Sequence, residues 1–291
     1  MLLSSGVVWR YRELDEYLRQ CPGGDETLQR LVWERLDDAL DWLERLAAGE
    51  PYTSNPLTIG RRFDTRTLTE ALVRAAGEIE LRHAEIPVTG PLILATGGYP
   101  VALARERGLL VRSNPWSEGD GIAYAVEHGA TRVASDEFYG RALPGRVPED
   151  EFVAAAQLYG RFARRVNDDG EEFLPGHVSW SETDLVQAIA DQPGGRAWYE
   201  LDAVQLEQPE VAERLPYARE TEQLPGGGLR VRVYASVTHT YGGLQVDERA
   251  RAADGIWAAG VDVGGLSNGG YASGLAQALV LGLAAAEDAA Q

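Results

Sequence analysis

A single cysteine, Cys21, is all the thiol this sequence contains, so an internal disulfide is excluded and a cysteine-based metal site lacks its ligands. Long apolar runs are also missing. The longest, from Leu275 to Ala286, is about half the span of a bilayer and is interrupted by Gly282, so it reads as a buried helix rather than a membrane anchor. The start, Met1-Leu2-Leu3-Ser4, has neither a basic region nor an apolar one, so no signal peptide is visible and a cytoplasmic location is the expectation. Positive charge is in deficit. With 27 basic against 45 acidic residues the net charge is −18, which argues against nucleic acid, whose binding depends on neutralising phosphates with Lys and Arg. The arginine content reads as the compositional bias of a GC-rich genome, and the acidity speaks to solubility more than to substrate.

What is present is ordinary globular material. A hydrophobic fraction of 44% over 291 residues supports one large or two modest domains. Leu14 to Leu46 reads as helical with a break at Cys21-Pro22-Gly23-Gly24, its apolar positions from Leu28 to Leu46 falling on one face. Thr65 to Ala76 is a further helix, and Glu78-Ile79-Glu80-Leu81 reads as a short strand. Val88 to Leu94 is expected as a strand, Pro100 to open a helix, and Gly119 to begin another ending at His128. The middle contains the turn Asn167-Asp168-Asp169-Gly170, a helix over Glu182–Ala190 and a strand at Ala197–Leu201. Pro225-Gly226-Gly227-Gly228 reads as a linker. Beyond it come a strand at Leu229–Val237, a strand over Gly255–Gly260, and a long helix over Gly270–Ala290. The pattern is α/β at both ends with an α+β segment inserted between, drawn as residues 1–115 and 229–291 against 116–228.

Two strands end in small residues, Leu92-Ile93-Leu94-Ala95-Thr96-Gly97-Gly98 and Ile256-Trp257-Ala258-Ala259-Gly260. In open α/β sheets ligands bind at the carboxyl ends of strands, and glycine there lets a ligand meet bare backbone. The run Val261-Asp262-Val263-Gly264-Gly265-Leu266-Ser267-Asn268-Gly269-Gly270-Tyr271-Ala272-Ser273-Gly274 opens directly into a helix, whose first N–H groups suit an anion, a phosphate or the pyrimidine edge of a reduced flavin. A glycine-rich loop capped by Asn268 or Ser273 is the plainer reading.

Here the chain resembles a known family. Thr238-His239-Thr240-Tyr241-Gly242-Gly243-Leu244-Gln245-Val246-Asp247, followed by Gly255–Gly260 and the glycine loop, is similar to the closing block of flavoproteins of the fumarate reductase/succinate dehydrogenase type. Ala95-Thr96-Gly97-Gly98-Tyr99 and Glu118-Gly119-Asp120-Gly121-Ile122 resemble its middle, and Ser4-Ser5-Gly6-Val7-Val8-Trp9 the segment after its first nucleotide-binding helix. The resemblance implies a Rossmann-like FAD-binding domain with an inserted capping domain, and hydride transfer between flavin N5 and a carbon of a C–C single or double bond. By the same likeness Ser4, Ser5 and Gly6 would lie along FAD, Ala95, Thr96, Gly97 and Gly98 near its nucleotide half, and Gly270, Tyr271, Ala272, Ser273 and Leu275 at the flavin. Gly260 closes the second strand end, and Asp262 would reach the ribityl chain. His239 matches a substrate-contacting histidine, expected to face the flavin and to titrate close to neutral pH. Tyr139, Arg141 and Tyr241 complete the candidate substrate pocket. His83, His128 and His177 match nothing and read as surface or structural.

The departures from that pattern are specific. No Gly-x-Gly-x-x-Gly occurs anywhere, which also removes the ground for a nicotinamide dehydrogenase. A chain of this kind starts late, has been trimmed, or is completed by a partner chain, and would hold FAD weakly or not at all. Where C4-dicarboxylate enzymes have a basic turn and then an arginine proton donor, this sequence has Gly170-Glu171-Glu172-Phe173 and an arginine-free stretch from Leu174 to Asp184. A second substrate arginine is missing from Ser267-Asn268-Gly269-Gly270. The expectation is therefore an oxidoreductase for a small-molecule substrate other than a C4-dicarboxylate. The alternative is a remnant acting as a subunit or binding module.

Overall fold

Pro22 and the glycines after it end one helix, Leu14–Gln20, and Asp25 starts the next, Glu26–Glu44, by accepting the Leu28 amide at 3.0 Å. The structure, a computed structural model, describes residues 4–53, 55–81 and 90–291, so His83 and the expected strand start at Val88 lie outside the described residues. The second helix buries Leu28, Val32, Leu36, Ala39, Leu40 and Leu43, the face its spacing predicts.

The chain divides into two compact units. The first comprises Met1–Gly98, Gly119–Asp136 and Tyr241–Gln291. In it Val7–Tyr11, Thr58–Phe63 and Gly49–Tyr52 form an antiparallel sheet with Thr58–Phe63 in the middle. A second sheet pairs Leu92–Leu94 in parallel with Ile256–Ala258, register Ile256↔Leu92, and adds Arg251–Ala253 antiparallel on the far side. The two strands that the sequence ends in small residues are thus direct neighbours running the same way. Helix Gly274–Ala289 buries Ala276, Val280, Leu281, Ala284 and Ala285, and packs on helix Glu26–Glu44. Arg35 on that helix reaches both carboxylate oxygens of Glu287 at 2.8 Å.

The second unit comprises Tyr99–Glu118 and Glu137–Thr240. Its sheet is organised by one long strand, Gly228–Thr240, which pairs antiparallel with Thr221–Leu224, Arg196–Leu201 and Phe138–Leu143 and in parallel with Leu110–Val111. Arg164–Val166 extends the sheet beyond Arg196–Leu201. Its core gathers Phe138, Tyr159, Leu185, Ile189, Tyr199, Val231, Val233 and Val237, none more than trivially exposed.

Several elements differ from expectation. Glu78–Leu81 is irregular, with Leu81 95% exposed, because no strand among the described residues covers its apolar residues. Pro225–Gly227 is the tight turn of a hairpin, with Leu224 opposite Gly228 and positive φ at Gly226 and Gly227, and is not a linker. Gly228–Thr240 accordingly lies in the second unit, where the sequence expectation put residues from 229 onward in the first. The final helix begins at Gly274, capped by Ser273, so residues 270–273 stay loop. Among the described residues no helix is long and apolar enough to cross a membrane.

Candidate functional site

At the carboxyl ends of the parallel pair the backbone leaves extended geometry through Gly97 and Gly98, both at positive φ, and through Gly260 at φ +64°. Asp262 ties the two ends together. Its carboxylate accepts the Thr96 amide, the Thr96 hydroxyl at 2.9 Å and the Gly98 amide at 2.8 Å, and it has no solvent exposure. A buried carboxylate demands such partners, and here three donors supply them. Both oxygens of Asp262 are thereby engaged within the protein, so this side chain shapes the strand ends. Ala95 and Thr96 are exposed beside it. Gly121 allows the approach, since a Cβ there would stand 2.5 Å from Thr96 Oγ1.

The glycine loop between Gly264 and Ser273 has its carbonyls drawn off by surrounding groups. Gly265 O accepts the Asp25 amide at 2.6 Å, Leu266 O the Gln29 side chain at 2.9 Å, and Asn268 O the Gly23 amide at 3.1 Å. Gly270 O accepts the Tyr241 hydroxyl at 2.6 Å, and Tyr271 O that of Tyr11 at 2.7 Å. Gln277 binds Gly260 O and Val263 O at 2.7 and 3.0 Å, fixing where the loop leaves the sheet. Gly270 is obligatory, because a Cβ would meet Gln20 O at 1.6 Å. The loop ends at Ser273, whose Oγ accepts the Ala276 amide at 3.2 Å. The Gly274 and Leu275 amides, at the head of a helix, have no acceptor within it. With five carbonyls held elsewhere, small residues along the loop and helix amides at its end, the segment suits an electronegative planar group such as the pyrimidine end of a flavin. Tyr241 is buried and its hydroxyl is spent on this brace.

Gly6 sits at φ +69°, where a Cβ would clash with Phe63 O at 2.2 Å; its amide donates to Ser4 Oγ at 3.2 Å, and Ser5 is exposed. These residues turn the chain into strand Val7–Tyr11.

In the second unit the structure brings Tyr139, Arg141 and His239 together. His239 lies beyond an irregularity in the pairing of Gly228–Thr240 with Phe138–Leu143, opposite Tyr139. The two rings are 5.0 Å apart at 32°, and the Arg141 guanidinium stands 4.8 Å from the Tyr139 ring centre. Arg112 flanks His239, held by Phe152 O at 2.9 Å and Thr238 Oγ1 at 3.0 Å. Loss of water, and then the Arg112 charge, push the His239 imidazole down to about 4. It is therefore neutral at pH 7, and the expectation of titration near neutrality is not met. Tyr241 belongs to the other unit. His128 is exposed and stacked on Tyr124 at 4.1 Å, and His177 is exposed.

Sequence reasoning missed Tyr11, Gln29, Gln277, Arg112 and Glu182. The first four act through backbone carbonyls or a distant loop, and no local pattern announces that. Glu182 reads as an ordinary helix-start acid in Ser181-Glu182-Thr183-Asp184.

Residues 62–274 match the FAD binding domain family, and the chain belongs to that family. Its fold is α/β in the first unit and α+β in the second, as in solved flavoproteins of the fumarate reductase type. No curated protein matches the sequence. Among solved structures it is similar to the open conformation of a flavocytochrome c3 fumarate reductase, with a TM-score of 0.69 and 18% identity over 95% of this chain. The chain spans 66% of that protein's length. It is also similar to 3-ketosteroid Δ1-dehydrogenase from Sterolibacterium denitrificans, with TM-score 0.68, 14% identity and coverage of 99% of this chain and 92% of the other. The 3-ketosteroid-Δ4-(5α)-dehydrogenase from Rhodococcus jostii RHA1 gives 0.66, 15%, 100% and 89% for the same quantities.

Proposed function

We propose that this chain is an FAD-dependent oxidoreductase that moves hydride between flavin N5 and one carbon of a C–C single or double bond, in a substrate other than a C4-dicarboxylate. The observation that carries the reading is the carbonyl-stripped glycine loop opening into helix Gly274–Ala289. Ala95–Gly98, Gly260 and Gly270–Leu275 are the residues we assign to the cofactor. FAD, when bound, supplies the two-electron chemistry, and the protein supplies orientation and protons.

Tyr139, Arg141 and His239 are assigned to the substrate. The His239 imidazole, neutral at pH 7, can donate to or accept from a substrate oxygen without adding charge. Arg141 stabilises negative charge developing on that oxygen. Tyr139 can pass the proton that accompanies hydride transfer. Three such groups recognise one carbonyl or one carboxylate. They do not clamp two carboxylates, and the chemistry of the 3-ketosteroid enzymes with similar folds supports that choice.

The test is reconstitution. The protein is supplied with FAD, photoreduced without oxygen, and offered conjugated ketones, unsaturated monocarboxylates and fumarate while visible absorbance is followed. Reoxidation by a conjugated ketone or monocarboxylate supports the reading, and a flavin left reduced by all of them ends it. A second reading, a binding module completed by a partner chain, draws on the absence of any Gly-x-Gly-x-x-Gly in the sequence. It predicts stoichiometric FAD binding only when that partner is present.

A further inference from the structure

Behind Arg141 lies a carboxyl group that neither the cofactor segments nor the substrate residues account for. Glu182 is 2% exposed. One of its oxygens accepts the Arg161 amide at 3.2 Å, and the other, Oε2, is buried with no hydrogen-bond partner among the described residues. Its backbone is in the left-handed region at φ +54°, unusual for a residue with a side chain. Strain, burial and an unmet acceptor at one residue are the marks of a position held for function rather than stability.

Its surroundings connect it to the substrate residues. Arg141, on strand Phe138–Leu143, donates from Nη1 to Ser181 O, the carbonyl of the peptide that leads into Glu182. The same guanidinium lies over Tyr139, which faces His239. The charged and titratable groups around Glu182 come from every element packed on it. Arg141 lies on that strand, Arg161 and Tyr159 on the preceding loop, Asp184 on helix Thr183–Ala190, and Tyr199 on strand Arg196–Leu201, with Arg165 beyond it. Tyr199 is fully buried, its hydroxyl has no partner among the described residues, and Arg165 Nε is likewise unmet. Gly160 leaves room at this point, since a Cβ there would sit 2.6 Å from Tyr199 Oη.

We propose that Glu182 is a positioning residue for Arg141: its buried carboxyl, one peptide beyond the Ser181 carbonyl that Arg141 holds, sets how firmly the guanidinium is drawn inward, away from the Tyr139–His239 face. Burial pushes the carboxyl up to about 7, with Asp184 adding to the rise while the Arg161 amide and the Arg141 and Arg161 guanidinia oppose it. Ionised, Glu182 competes with substrate for the Arg141 charge. Protonated, it releases that charge toward the face.

The assignment of Arg141 to substrate rests on the function proposed above, but the Glu182–Arg141 coupling does not, and it can be tested on the full-length chain without cofactor or substrate. The Nε–Hε resonance of Arg141, identified by its loss in Arg141→Lys, is followed by 15N NMR from pH 5.5 to 8.5. The wild type should show one titration step near neutral pH. Glu182→Gln, which keeps the shape and removes the charge change, should abolish it, and Glu182→Asp should keep a step at a shifted midpoint. A flat wild-type titration overturns the proposal even if Glu182→Gln fails to fold, and an unchanged step in Glu182→Gln overturns it equally.

Discussion

Asp262 and Thr96, 166 residues apart, are joined twice, by the Thr96 amide and by its hydroxyl, and Asp262 takes the Gly98 amide as well. One carboxylate thereby fixes the level at which the two parallel strands end. Asp262→Ala removes three charge-assisted bonds, the buried Gly98 amide's among them, and should cost about 2–4 kcal/mol by urea unfolding, at roughly 1.5–3 kcal/mol for a buried charge-assisted bond and less for the part-buried Thr96 pair. Asp262→Asn, which retains an acceptor, should cost about 1–2 kcal/mol. A loss below 1 kcal/mol for the alanine variant would show that the strand ends hold themselves.

Gly270→Ala places a methyl group against Gln20 O, and backbone there cannot retreat cheaply. The expected loss is about 2 kcal/mol or more in stability. FAD affinity should fall with it, because the loop must move to accommodate the methyl. Thermal melts and a flavin fluorescence titration read the two effects separately, and intact affinity would remove the loop from the cofactor site.

FAD should be held weakly by the chain alone. The sequence offers no phosphate-binding glycine turn, and each missing charge-assisted bond to the pyrophosphate is worth roughly 1.5–3 kcal/mol. Two or three such losses weaken binding by several powers of ten, at tenfold for about every 1.4 kcal/mol. Protein that emerges from purification yellow, with one FAD per chain, would contradict this.

Fumarate should be a poor substrate even with FAD restored. The turn Gly170–Phe173, the position at which the resemblance implies a basic turn in C4-dicarboxylate enzymes, carries Glu171 and Glu172, both exposed, with Glu172 paired to Arg164 at 3.3 Å, so it offers a dicarboxylate no positive charge of its own. Turnover above about one per second would refute the assignment of substrate class.

His239 and Glu182 should act on stability in opposite directions over overlapping pH ranges. The folded protein keeps His239 neutral down to about 4 while the unfolded chain protonates it near 6.5, so this group's contribution is complete above 6.5 and lost as pH falls toward 4. Glu182 keeps its proton up to about 7 in the fold but loses it near 4.5 when unfolded, so its contribution is complete below 4.5 and lost as pH rises through 7. Urea unfolding between pH 4.5 and 6.5 should therefore show stability falling more steeply with pH in His239→Gln than in the wild type. It should rise with pH in Glu182→Gln. Parallel profiles for all three proteins would show that neither group is held as the fold suggests.

How much of this was legible follows from how locally each feature is written. The helix face from Leu28 to Leu43 and the two small-residue strand ends are carried by neighbours in sequence, and the structure reproduces them. The hairpin at Pro225–Gly227 looked like a linker because proline and glycines serve both. Only the opposing strands decide the matter, and they lie on either side of the turn. Glu78–Leu81 alternates like a strand but pairs with no strand among the described residues, and alternation alone does not make a sheet. Glu182 was invisible because its meaning comes from Arg141, Arg161 and Tyr199, which are brought to it by three separate elements.

The long strand Gly228–Thr240 also constrains how the protein is made. Leu110–Val111, Phe138–Leu143 and Arg196–Leu201 all hydrogen-bond to it, so these segments leave the ribosome well before the strand that joins them exists. Until about residue 240 is out, the edges these segments present to the long strand stay open, a state that favours aggregation and chaperone capture. Slow codons or a stall late in the second unit should thus harm the yield of folded protein more than the same delay in the closing helix.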